Sequence, residues 1–148
     1  MNMLFKAKVR AEKDREVIKR LGKQLYEEGY VKDSYIGAVI EREKELPTGL
    51  KTGSINVAIP HTDIMHVNET FLAIATLENP VKFRLMEDPS QEVDIDIVFL
   101  LGVKQPKEQT KLLSALMAIF KDDQSLEKIK NAQSEEDCNE ILKLVQIQ

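Results

Sequence analysis

A chain of 148 residues is the size of one domain with a core large enough to fold alone, and 43% hydrophobic with 31% charged residues is an ordinary globular composition. The formal net charge of −4, with no basic stripe, speaks against nucleic-acid binding, and no run approaches the ~20 apolar residues of a membrane span. A single cysteine, Cys138, excludes an internal disulfide and reads as structural, no Cys/His spacing suggests a metal, no cofactor is called for, and Met1 to Arg10 lacks a signal-peptide plan, so a cytoplasmic location is expected.

In chain order, Leu4, Phe5, Ala7 and Val9 alternate loosely, as in an edge strand. Val17, Ile18, Leu21 and Leu25 recur at helical spacing over Lys13 to Glu28, and Gly29 stands where a C-terminal cap belongs. Asp33 is placed to cap a second helix with Ile36, Val39 and Ile40 as its buried stripe, ended by Pro47 and carrying Arg42 near its end. Leu46 to Ser54 is rich in turn formers and reads as a loop. Val57 to Ile59 is a short strand stopped by Pro60. Phe71 to Leu77 is an apolar strand, Asn79-Pro80 a turn, and Val81 and Phe83 belong to a half-exposed strand, followed by a loop at Glu87 to Ser90.

Val93, Ile95 and Ile97 alternate with Asp94 and Asp96 before the run Val98 to Leu101, which predicts a strand passing from a half-exposed edge into the core and closed by Gly102. Pro106 suits the first position of a helix whose apolar face is Leu112, Leu113, Leu116, Met117 and Phe120, with Gln109 on the same face. Shorter helices follow near Gln124 to Asn131 and Glu135 to Val145, the second capped by Ser134. The expected architecture is α/β, a mixed sheet flanked by helices in a single domain, 1–148.

The chemistry concentrates between Ile55 and His66. Both histidines of the chain, His61 and His66, fall there, and Pro60 delivers His61 on a constrained backbone just past the carboxyl end of a strand, where open α/β sheets place their sites. A neutral imidazole with one nitrogen fixed by a hydrogen bond presents the other as a nucleophile. Phosphoryl transfer then asks mainly for positioning and charge neutralisation. Arg42, Thr48, His66 and Gln109 are the groups on offer. For each a plainer reading stands beside the functional one: a solvated helix-end charge for Arg42, a turn-stabilising hydroxyl for Thr48, an exposed loop histidine for His66. A metal-dependent hydrolase using His61, Asp63 and His66 is the reading from another class, and their spacing matches no ligand motif.

The run Val57-Ala58-Ile59-Pro60-His61, preceded by Arg42-Glu43 and Pro47-Thr48-Gly49-Leu50, resembles the phosphohistidine segment of the fructose/mannitol/galactitol-type enzyme IIA of the bacterial sugar phosphotransferase system. The resemblance in layout covers nearly the whole chain. It implies that His61 accepts phosphate from the carrier protein HPr and passes it to a cysteine of a IIB component, with Arg42 neutralising the phosphoryl group. From charge and hydropathy, no nucleic acid is expected as partner and no direct insertion into the membrane. Thr62 replaces the small residue that most members carry after the histidine, and Pro-His-Thr with His66 downstream is most like the galactitol-type branch. Where several members carry a second histidine in the helix after the last core strand, this chain has Gln109, which donates a hydrogen bond but carries no proton. A regulatory, phosphate-sensing module without a transport partner would need the same nucleophile. Lys104, Lys107 and Lys111 could steer an acidic partner or form a solvated helix face.

Overall fold

Strand β5 (Glu92–Gly102) holds the middle of the sheet because its second half tolerates burial on both faces, with every residue from Ile97 to Gly102 buried. The computed structural model describes residues 2–144 and orders five strands as β1 (Asn2–Val9), β4 (Phe71–Arg84), β5, β3 (Val57–Ala58) and β2 (Gly49–Leu50). β1 runs parallel to β4, β4 antiparallel to β5, β5 parallel to β3 and β3 antiparallel to β2, so the sheet is mixed as expected. Helices α1 (Asp14–Glu27) and α2 (Tyr35–Glu45) cover one face, through Val17, Leu21, Leu25, Tyr35 and Val39. Helices α3 (Pro106–Phe120), α4 (Asp123–Asn131) and α5 (Glu135–Leu144) cover the other, through Leu116, Ile119, Leu126, Ile129 and Leu142.

The ends of the elements follow from local chemistry. Gly29 closes α1 at φ 82°, a left-handed position that favours glycine, while Gly29 N donates to Tyr26 O and Tyr30 N to Leu25 O, satisfying two carbonyls of the last turn. Asp33 does not cap α2. Ser34 precedes the first helical residue, and its hydroxyl pairs with His66 instead of a helix N–H. The buried row of α2 is Tyr35, Val39 and Glu43, one residue every turn, whereas Ile36 and Ile40 are only half-buried. Ser34 has a counterpart in Ser134, whose hydroxyl does accept from Asp137 N at 3.1 Å. The expected end of the last helix at Val145 lies outside the described residues.

The reading of Asn79-Pro80 is corrected. Asn79-Pro80 does not turn the chain between two strands; β4 is continuous from Phe71 to Arg84 and its register to β5 jumps between Thr76↔Ile97 and Val81↔Ile95. Glu78, Asn79 and Pro80 are exposed in that bulge, where the missing N–H of proline costs no ladder bond. On β5 the amides of Asp96 and Ile97 both point to Asn56 O, at 2.9 and 3.4 Å. Here the strand changes faces, so that Val93 and Ile95 pack toward α1 and α2 while Ile97, Phe99 and Leu101 pack toward α3 to α5. In α3 the buried position is Ile119 rather than Met117, which is 40% exposed. The loop read at Leu46 to Ser54 contains β2, which Gly49 allows to lie against the β4 main chain: a Cβ there would sit 2.6 Å from Arg84 O.

Candidate active site

β3 has only two residues, yet the backbone beyond it stays clamped from both sides. The pairing Gly49↔Ala58 sets Thr48 opposite Ile59, and Ile59 N donates to the Thr48 hydroxyl at 3.2 Å instead of to a ladder carbonyl. From the β5 side, Leu101 N donates to Pro60 O at 3.4 Å. Tyr35, buried on α2, donates its hydroxyl to Leu101 O at 2.8 Å and ties that helix to the same point. His61 emerges from this clamp 7% exposed, with Nδ1 2.8 Å from Ile59 O. A carbonyl only accepts, so Nδ1 carries the hydrogen of this bond and Nε2 keeps its lone pair. Burial lowers the His61 pKa from its ordinary value against the Ile59 bond, and the positive charge of Arg42 lowers it further. The ring is thus held neutral with one nucleophilic nitrogen.

Arg42 occupies the last turn of α2, close enough for its charge to act on His61. Its Nε is buried and has no hydrogen-bond partner among the described residues. A guanidinium in that condition has donor capacity in reserve for an anion. Thr48 is buried, donates its N–H and its hydroxyl to Glu43 at 2.8 Å each, and accepts from Ile59. Its single hydroxyl proton is therefore committed, and the side chain acts here as a brace. Glu43 is the residue that sequence reasoning passed over as part of a motif. It is 5% exposed, and burial pushes its pKa up to about 7 in spite of the two Thr48 bonds. The available signal was its spacing, one helical turn beyond Val39 on the inward row.

The remaining candidates divide. His66 ends a single 3-10 turn, Ile64–His66; its Nδ1 lies 2.8 Å from Ser34 Oγ and its carbonyl accepts from Lys32 N at 2.9 Å, so it is tied to the connection between α1 and α2. Gln109, half-buried in the first turn of α3, shares a groove of about 420 Å³ with Asp63, Ile64, Met65 and Leu113. It therefore lies beside the segment that begins two residues after His61. Lys104, Lys107 and Lys111 are exposed. Cys138 is buried and its thiol is pushed up to about 12, chiefly by burial. Among the described residues no three His, Cys, Asp or Glu side chains gather to hold a metal ion, and no helix is long and apolar enough to cross a membrane.

Comparison with known proteins places the chain in a family. The family described as phosphoenolpyruvate-dependent sugar phosphotransferase system, EIIA 2, matches residues 2–145. The galactitol-specific EIIA component of Escherichia coli K12 is 33% identical over 101 residues, covering 68% of this chain and 67% of the relative. The mannitol-specific enzyme IIA component of Staphylococcus aureus N315 is 30% identical over 127 residues, 85% of this chain and 82% of the relative. Among solved structures, the mannitol enzyme IIA of Escherichia coli, in complex with its phosphorylated IIB, superposes with a TM-score of 0.75 at 23% identity over 94% of this chain and 93% of its own, a likeness of fold. With the family match spanning nearly every residue, the chain belongs to the type 2 enzyme IIA family of the phosphoenolpyruvate-dependent sugar phosphotransferase system, phosphotransferases that carry phosphoryl groups on a histidine for sugar and polyol uptake.

Proposed function

We propose that Nε2 of His61 takes a phosphoryl group from the phosphohistidine of HPr and hands it to a cysteine of a IIB component, in the uptake of galactitol or a related polyol. The observation that carries this reading is the bond from His61 Nδ1–H to Ile59 O, which leaves a neutral ring with its lone pair on Nε2. As the new N–P bond forms, the N–P bond to HPr breaks and the electron pair returns to the HPr imidazole. No proton has to leave His61. The unpartnered Nε of Arg42 supports a place for its guanidinium against the phosphoryl oxygens. Gln109, in the groove that Asp63 to Met65 also line, is the assisting group on α3 and brings a hydrogen-bond donor but no charge. Thr48 and His66 assist by holding the loop ends that flank His61. The galactitol preference rests on the resemblance of Pro60-His61-Thr62 and on the galactitol-specific relative. Residues 1–148 act in this reading as one cytoplasmic enzyme IIA domain, without nucleic acid, metal or cofactor and without entering the membrane.

Incubation with phosphoenolpyruvate, enzyme I and HPr, followed by intact mass, tests the proposal. One acid-labile phosphate on the wild type and none on His61→Ala is the expected result. Full phosphorylation of the variant would sink the assignment. Phosphorylation of the wild type without onward transfer to any galactitol-type IIB would favour the regulatory reading.

A further inference from the structure

Pro60 has no N–H, so Ile59 N–H is the last main-chain donor before His61 along this strand. Its partner is a side chain, the Thr48 hydroxyl, at 3.2 Å. What keeps that hydroxyl an acceptor is Glu43. The carboxylate receives Thr48 N on Oε2 and Thr48 Oγ1 on Oε1, both at 2.8 Å, which fixes the threonine at its backbone and its side chain together. A hydroxyl has one proton. With that proton directed to Glu43, Oγ1 offers only lone pairs to Ile59 N, and Ile59 in turn offers its carbonyl to His61 Nδ1 at 2.8 Å. The carboxylate orders the Thr48 hydroxyl; Ile59 N–H only donates and its carbonyl only accepts, so what passes on to His61 is the place where Ile59 is held.

We propose that Glu43 is a positioning residue for His61: acting through Thr48, it holds the Ile59 main chain so that the Ile59 carbonyl accepts from His61 Nδ1–H, and this sets the ring orientation and leaves Nε2 as the acceptor nitrogen. The inference rests on the reading of His61 as phosphoryl acceptor, and it explains why this position holds an acid. A glutamine fills the same space and accepts from Thr48 N. Its NH2 group, however, meets Oγ1 as a second donor, turns the hydroxyl proton elsewhere and loosens the hold on Ile59. A merely structural Glu43 would fasten the end of α2 to the following loop and leave the chemistry of the His61 ring alone.

The test uses, at a pH above the Glu43 pKa of about 7, the whole 15N-labelled chain as wild type, Glu43→Gln, Thr48→Val and Thr48→Ser, with His66→Ala to assign the two imidazoles. Long-range 1H–15N correlation reads the tautomer directly on unphosphorylated protein. Wild type and Thr48→Ser are expected to show His61 as Nδ1–H. Glu43→Gln and Thr48→Val are expected to show a tautomer mixture and a kcat for phosphoryl acceptance from phospho-HPr about tenfold lower, with KM unchanged. A retained Nδ1–H tautomer, or a wild-type rate, in whichever of these two isosteric variants folds overturns the proposal. A wild type that takes no phosphate overturns the function proposed above instead, since the ring measurement needs no phosphoryl donor.

Discussion

A guanidinium whose Nε is buried without a partner is costly unless an anion completes it, and Arg42 meets that description next to His61. Arg42→Ala is expected to slow phosphoryl acceptance about 10²-fold, as removal of a charge-stabilising donor does. Arg42→Lys should recover only part of that rate, because an ammonium supplies the charge but not the planar fork of donors. Single-turnover rates with phospho-HPr check both; a wild-type rate in Arg42→Ala would remove Arg42 from the phosphoryl site. At this scale the placement of His61 just past a strand end was legible from Pro60, which stops the strand. Glu43 was not. A glutamate beside an arginine in a charged helix reads as solvated, and its burial depends on Thr48 folding back across the loop, a contact no local pattern encodes.

The elements obey their local rules except where tertiary pairing overrides them. Gly29 is the clearest case of obedience, and Gly29→Ala should lower stability by about 1 kcal/mol, since the left-handed backbone penalises a Cβ even though open space surrounds it. Urea unfolding at constant pH measures this, and an unchanged midpoint would mean that the turn relaxes without strain. α1, α3 and β5 were readable because their apolar periods are long. β4 was misread at Asn79-Pro80, a dipeptide that signals a turn in isolation; the same residues are accommodated when Glu78 to Pro80 bulge outward and pairing with β5 resumes at Val81. The face change at Asp96 was equally hidden. Period-2 alternation says that Val93, Ile95 and Ile97 are buried, not that the last of them lies on the other side of the sheet. β2 escaped detection because two residues carry no period, although they supply the register that sets Thr48 against Ile59.

On the scale of the whole molecule, the site builds two opposing proton linkages into folding. Glu43 has its folded pKa raised from 4.5 to about 7, mainly by burial and further by Asp14, while the Thr48 bonds and Arg84 oppose the rise; Arg15 and Lys44 line the same small cleft. Between these two values the folded chain binds more protons than the unfolded one, so this contribution to stability is complete below pH 4.5 and is lost as pH rises through about 7. The loss amounts to roughly 3 kcal/mol at the one-unit equivalence of 1.36 kcal/mol. His61 is lowered from 6.5, so it works the other way: its contribution is complete above pH 6.5 and is lost as pH falls through the lowered folded value. Subtracting the stability of each variant from that of the wild type, at each pH in a urea series, separates the two. The wild type should lose ground against Glu43→Gln as pH rises from 4.5 to 7 and then hold constant, and it should gain ground against His61→Ala as pH rises towards 6.5. The lost Thr48 bond adds only an offset to the first difference. A flat Glu43→Gln difference across that range would mean that the carboxyl titrates at its ordinary value, the Thr48 bonds having offset the effect of burial.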